Sequence, residues 1–76
     1  MFERITSDTA ILAGKPIIRG TRIRVELILE WIASGATRDD ILRKHAHLRA
    51  DDVEQALAYA AAAVRNEVLV TAEVSD

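Results

Sequence analysis

The chain has 76 residues, half of them hydrophobic, and it contains no cysteine. This length allows one small domain with a limited core, and the composition excludes a disulfide framework and thiol chemistry. No apolar run approaches the roughly 20 residues that span a bilayer, and the N-terminus lacks the apolar run of a signal peptide, so we expect a cytoplasmic protein.

The net charge of −2 is unevenly distributed along the chain. Residues 1–50 carry nine Lys and Arg against six Asp and Glu, whereas residues 51–76 carry one Arg and six acids. A basic N-terminal part and an acidic C-terminal part are typical of a protein with two different partners, one of them anionic. An ordinary solvated surface would give the same asymmetry.

Short apolar segments and turn residues occupy the first 24 positions. Residues 2–5 and 17–19 predict two short strands, which together form a small N-terminal β-hairpin. Gly14 and Pro16 exclude a helix across the segment that connects the two predicted strands. Gly20 is a natural position for a backbone with positive φ.

The first of three predicted helices follows this hairpin. Its core stripe recurs at i, i+3, i+4 and i+7, and consists of Val25, Ile28, Leu29 and Ile32. Gly35 is placed to end the helix in a left-handed cap. Leu27 and Trp31 lie on another part of the helix, where they either complete the core or form an apolar patch for a partner.

Two further helices complete the predicted domain, which spans residues 1–66. Thr37 is the predicted N-cap of the second helix, with Asp40 at the acidic position of a capping box. Leu48 is predicted to fill the core from the following turn. The third helix begins near residue 50, and its predicted core stripe consists of Val53, Leu57, Ala60 and Val64.

The last ten residues, 67–76, are predicted to form an extended C-terminal tail. The β-branched run there favours extended structure over helix, and we predict that it contacts a partner through Val68, Leu69 and Val70. The order of the elements makes the fold class mainly α, with three helices of which the second and third have the lengths of a helix-turn-helix.

No set of residues predicts catalysis, a metal site or a cofactor. His45 and His47 are two residues apart, which directs their rings to different sides of a helix, so we interpret them as polar turn residues. The segment around Gly14 and Lys15 lacks the Ser or Thr of a phosphate-binding loop. The acidic pairs at 39–40 and 51–52 open helices, where dipole compensation explains them.

Nucleic-acid binding is the remaining chemical possibility. Residues 14–25 concentrate four basic side chains without an acid, and arginine suits both phosphate and guanine. The first turn of the third helix is acidic, which disfavours base reading through that helix. The predicted DNA-binding residues are Lys15, Arg19, Arg22, Arg24, Arg38, Arg43 and Lys44. Equally, these side chains could be solvated cations around a tight turn.

The run GKPIIRGTRIRVELILEWIASGATRDDIL, followed by HLRADDVEQALAYAA, resembles the family of short bacterial proteins known as domain of unknown function 433. The resemblance covers about residues 4–63, and rests on the Gly-Thr-Arg segment with correctly spaced helices. Arg49 stands where the family has a Thr N-cap, so we expect a less firmly capped third helix.

This resemblance implies a three-helix helix-turn-helix fold of the homeodomain-like or winged kind, and the role of an antitoxin in a type II toxin–antitoxin pair. Its implied partners are a PIN-like nuclease toxin, which it inhibits, operator DNA and a second copy of the chain in a homodimer. The alternative is a protein-interaction module that does not bind DNA and whose basic segment contacts an acidic partner.

Overall fold

The computed structural model describes residues 2–7 and 14–75, with side chains described as far as residue 65. Two short strands precede three helices, in the order β1 (Ile5–Thr6), β2 (Ile17–Ile18), α1 (Val25–Ala33), α2 (Arg38–Lys44) and α3 (Ala50–Ser75). The fold is therefore mainly helical with a small antiparallel β element at its N-terminus, which confirms the predicted fold class.

The two strands tie the N-terminus to the segment before α1. They pair antiparallel, with Ile5 opposite Ile18, and both side chains enter the core. After β2 the chain doubles back, so that an isolated bridge pairs Ile17 with Arg24. This return brings the basic segment close against the body of the domain before α1 begins.

The core lies where the three helices meet the small sheet. Val25 and Ile28 of α1 are buried, as predicted, whereas Leu29 and Ile32 are half-buried and pack against them. Leu48 is buried in the turn after α2, which confirms its predicted role. The other buried members of this cluster are Ile5, Ile18, Ile41, Val53 and Ala56.

The ends of α1 and α2 follow their predicted capping residues. Gly35 has a φ of 102°, and its N–H donates to Ile32 while the next N–H, that of Ala36, donates to Trp31, the Schellman pattern. At α2, Thr37 Oγ1 accepts from the Asp40 N–H and the Asp40 carboxylate accepts from the Thr37 N–H. The capping box is thus confirmed.

The core face of α3 differs from the predicted stripe. Val53 is buried, but Leu57 is 40% exposed and Val64 is 56% exposed. The buried position is Ala56, and Tyr59 also packs against the core. A methyl side chain lets α1 approach α3 closely, so the small residue faces inward and Leu57, one position later, is rotated toward solvent.

The predicted extended tail is also wrong for most of its length, because α3 continues to Ser75. Propagating an existing helix requires no new nucleation, and Val, Leu and Thr lower helix propensity by less than about 0.7 kcal/mol each. No Gly or Pro interrupts residues 36–76. Even so, no helix within the described part of the chain is long and apolar enough to cross a membrane.

Candidate functional site

The Gly-Thr-Arg segment forms a tight turn whose geometry depends on Thr21. The Thr21 hydroxyl donates to the carbonyl of Ile18 at 2.8 Å and accepts from the N–H of Ile23 at 3.0 Å. The Ile18 N–H donates in turn to the carbonyl of Ile23. Gly20 adopts a φ of 80°, which a residue with a side chain rarely accepts. Arg22, which follows Thr21 in the chain, is therefore presented from a fixed loop.

Arg22 lines a cleft of about 700 Å³ between this turn and the turn that follows α2. We call it the basic cleft, and its lining consists of Thr6, Ile17, Gly20, Thr21, Arg22, Ile23, His45 and His47. The described part of this lining contains two imidazoles and a guanidinium but no carboxylate. Sequence reasoning did not anticipate this meeting of Arg22 with the two histidines.

His45 is held in place by an aromatic stack. Its ring lies 4.5 Å from that of Trp31, with 14° between the planes, and 6.3 Å from the ring of His47, edge on. On its other side His45 borders a second cleft of about 360 Å³, which Arg43 and Lys44 also line. Trp31 is half-buried and packs against the core and this imidazole, whereas its predicted contact with a partner stays a prediction.

Two of the predicted DNA-binding cations share one carboxylate. Lys15 Nζ lies 3.1 Å and the Arg24 guanidinium 3.2 Å from Glu26 Oε1. The hydrogen bond from Lys15 holds the pKa of Glu26 below its usual value, with the charges of Lys15 and Arg24 acting in the same direction. These exposed pairs leave the two cations partly neutralised in place.

Three more of the predicted cations also have partners on the same chain. Arg38 pairs with Glu54, Arg43 NH2 lies 2.5 Å from Asp40 Oδ1, and Arg19 Nε donates to the carbonyl of Glu3 at 2.6 Å. In contrast, no hydrogen bond or ion pair joins the side chains of Arg22 and Lys44 to any described residue. The structure therefore divides the seven predicted residues into five engaged and two available cations.

A buried ion pair connects the N-terminus to α3. Asp52 is fully buried, and its Oδ1 lies 2.5 Å from Arg4 Nε while its Oδ2 accepts from the Arg49 N–H at 2.8 Å. Burial raises the pKa of the Asp52 carboxyl, but the hydrogen bonds from Arg4 and from the Arg49 backbone outweigh burial, so that the pKa is lowered overall.

The same carboxylate corrects the prediction about the start of α3. Arg49 has no side-chain oxygen with which to cap the helix, as expected. However, Asp52 lies three residues into the helix and accepts the backbone N–H of Arg49, which is the second half of a capping box. The start of α3 is thus held by Asp52, and the acid serves more than the helix dipole.

The acidic groups of α3 lie on a different surface from the basic cleft. Asp51 and Glu54 line a third cleft with Phe2, Gln55 and Arg65, which we call the acidic cleft. Its lining includes neither Arg22 nor either histidine. Two of the acids of α3 therefore lie on a different surface from Arg22 and the two histidines.

The predicted partner-binding residues are spread over two helices. Leu27 of α1 is half-buried. Val68, Leu69 and Val70 belong to the part of α3 whose side chains lie outside the described residues. Leu57 and Val64 are exposed apolar side chains on α3 that sequence reasoning assigned to the core. Their exposure could be found only once the position of α1 was known.

The described side chains do not bring together a metal-binding set. No group of three or more His, Cys, Asp or Glu is placed to hold an ion among them. Every buried side-chain nitrogen and oxygen in the described residues has a hydrogen-bond partner. The chemistry that this arrangement offers is recognition of charge and apolar surface.

The fold and these surfaces define a small helix-turn-helix-like domain with separate basic and acidic clefts. Residues 5–60 match the family described as "Protein of unknown function (DUF433)", and the chain belongs to that family. It is similar to the crystal structure of a DUF433 member protein from Anabaena variabilis ATCC 29413, with 25% identity and a TM-score of 0.73 over 96% of this chain and 69% of the other. The comparison with curated proteins gave no match.

Proposed function

We propose that this protein is the antitoxin of a type II toxin–antitoxin pair. In this role it binds and inhibits a PIN-like nuclease toxin, binds operator DNA, and acts in the cytoplasm as a homodimer. The proposal assigns to this chain the role that its resemblance to the DUF433 family implies. It requires two separate binding surfaces, one for protein and one for an anion.

The observation that carries the proposal is the length of α3 beyond the core. The helix has 26 residues, about 39 Å at 1.5 Å per residue, yet Tyr59 is the last of its described side chains that packs against the core. Leu57 and Val64 are exposed on it. A long helix with exposed apolar side chains is the form in which many partner-binding segments are recognised.

The test of this proposal is inhibition of the proposed toxin, the PIN-like nuclease that the proposal expects to be encoded beside this gene. Purified full-length protein, added in equimolar amount, is expected to stop RNA cleavage by that nuclease. A chain lacking residues 67–76 is expected to inhibit much less, because the deletion shortens the proposed binding helix. Full inhibition by the shortened chain would contradict the role of α3, and no inhibition by the full chain would contradict the antitoxin function.

A second candidate function is a protein-interaction module without DNA binding. It is favoured by the pairing of Lys15 and Arg24 with Glu26, and by the acidic first turn of α3. The two functions differ in their behaviour with upstream DNA from the same operon. Operator binding that weakens steeply with salt supports the first function, whereas inhibition of the nuclease without any operator binding supports the second.

A further inference from the structure

The basic cleft has the composition of an anion site. Arg22, His45 and His47 meet there across the two turns, and none of the described residues that line it is acidic. Such a lining attracts negative charge. We propose that the basic cleft binds a backbone phosphate of the operator DNA. This inference rests on the proposed function, which supplies the duplex, and it names the residues that hold it.

Arg22 is suited to a phosphate because no described residue forms a hydrogen bond or ion pair with its side chain. Lys15, Arg24, Arg38 and Arg43 each face a carboxylate of this chain, and a cation that must leave a carboxylate gains less from a phosphate. Arg22 makes no such contact with the described residues. Its planar fork of donors matches two phosphate oxygens.

The loop that carries Arg22 is organised before any ligand arrives. Four hydrogen bonds, two of them through the Thr21 hydroxyl, close the turn between Ile18 and Ile23. A preorganised donor loses less conformational entropy when it binds. The turn therefore fixes the backbone position of Arg22, and only the Arg22 side chain needs to be ordered when a ligand binds.

The two imidazoles provide further donors on the opposite wall. A neutral imidazole retains one N–H and a protonated one has two, so His45 and His47 donate to a phosphate in either form. The stack on Trp31 fixes His45, and His47 lies beside it at 6.3 Å. Lys44 precedes His45 and lines the neighbouring cleft, where it adds positive charge at the rim.

Duplex DNA fits the position of the cleft better than an acidic peptide does. The cleft lies at the turn between α2 and α3, and in helix-turn-helix proteins the helix before this turn crosses the DNA backbone. Contacts of that kind fix the position of the protein and do not read bases. Asp51 and Glu54 of α3 line a different cleft, and neither is among the described residues that line this one. The proposed toxin surface is the outer part of α3.

The experiment compares full-length variants for binding to a fluorescent duplex from upstream of the gene, by anisotropy at several salt concentrations. Arg22→Ala and His47→Ala change the proposed site. Arg65→Ala is the matched control, because it removes the same charge as Arg22→Ala from the acidic cleft. Thermal unfolding by circular dichroism checks that Arg22→Ala, which removes no described contact, retains the wild-type midpoint.

We expect Arg22→Ala and His47→Ala to weaken binding roughly fivefold or more at low salt, and Arg22→Ala to lower the salt slope by about 0.9. Arg65→Ala should bind like the wild type. If the wild type binds and Arg22→Ala binds equally well, the cleft assignment is wrong while the proposed function stands.

Two other outcomes also overturn the inference. If the wild type binds no DNA, the cleft holds no operator phosphate, and nuclease inhibition by the same preparation then decides separately whether the protein is an antitoxin. If Arg22→Ala loses nuclease inhibition but keeps operator binding, the cleft receives carboxylates of the toxin instead. In that case the DNA contacts belong to other cations.

Discussion

At the scale of single residues, Asp52 shows how a buried charge is made stable. Its carboxylate is fully buried, and desolvation of an isolated charge would cost several kcal/mol. Arg4 and the Arg49 N–H supply donors to its two oxygens. The residue therefore joins three parts of the chain: the N-terminus, the turn after α2 and the first turn of α3.

Asp52→Asn is expected to lower the free energy of unfolding by about 2 kcal/mol, because it removes a charged hydrogen-bond partner from a buried site. Urea denaturation measures this change. Asp51→Asn is the matched control, since Asp51 is its exposed neighbour and its replacement should change stability by less than about 0.5 kcal/mol. Equal effects of the two substitutions would contradict the role of the Arg4–Asp52 pair.

The lowered pKa of Asp52 also predicts a pH dependence. A carboxyl whose pKa is lower in the folded state contributes stability above its unfolded pKa of about 3.9, and this contribution is lost as pH falls from there through the folded pKa. The pKa values of Glu26 and Asp40 are lowered as well, and act in the same direction. Urea midpoints should decrease as the pH is lowered from about 6 to about 3, and they should decrease less steeply for Asp52→Asn than for the wild type.

At the scale of secondary-structure elements, the turn after β2 links the sequence motif to the site. Thr21→Val keeps the shape of the side chain but removes the hydroxyl that bonds to Ile18 and Ile23. We expect a loss of about 1–2 kcal/mol in unfolding free energy from two hydrogen bonds, measured by urea denaturation. Operator binding should weaken as well, because Arg22 is no longer held. A variant of unchanged stability would show that the turn does not depend on Thr21.

The orientation of α3 gives a second prediction for an element. Leu57 is exposed and Val53 is buried, so Leu57→Lys should change the free energy of unfolding by less than about 1 kcal/mol. Val53→Ala should cost about 2–3 kcal/mol because it leaves a cavity. Chemical denaturation of both variants checks the assignment. A loss of unfolding free energy for Leu57→Lys as large as that for Val53→Ala would show that Leu57 belongs to the core, as the sequence pattern predicted.

The sequence predicts much of the helical part of the fold, for local reasons. The spacing of Val25 and Ile28, the Gly35 cap and the Thr37–Asp40 box are all interactions between near neighbours in the chain. The face and the end of α3 depend on other factors. Which of Ala56 and Leu57 faces inward is decided by how closely α1 approaches α3. The end of α3 depends on the competition between propagation of the existing helix and the weak preference of β-branched residues for extended structure.

The candidate site is less accessible to sequence reasoning than the fold. The basic segment and the Gly-Thr-Arg turn indicate where anions could bind, and Arg22 was among the predicted residues. Its apposition to His45 and His47 joins segments more than 20 residues apart, and their local spacing suggested only polar turn residues. Likewise, nothing near Asp52 in the sequence identifies Arg4 as its partner.

At the scale of the whole molecule, two separate surfaces are available, since no described side chain of α3 lines the basic cleft. The basic cleft lies between the turns that flank α1 and α2, and the proposed toxin surface is the outer part of α3, on which Leu57 and Val64 are exposed. A protein of this size can in this way offer separate surfaces to a nucleic acid and to a protein. The proposed antitoxin requires both surfaces to be occupied at once.

The most direct test of that account is the binding of the full-length protein to a fluorescent duplex from upstream of its gene, with and without the neighbouring nuclease, at two salt concentrations. The account predicts specific binding that weakens at the higher salt and persists in the presence of the nuclease, as a larger complex with slower rotation. Absence of DNA binding in both conditions, at both salt concentrations, would contradict it.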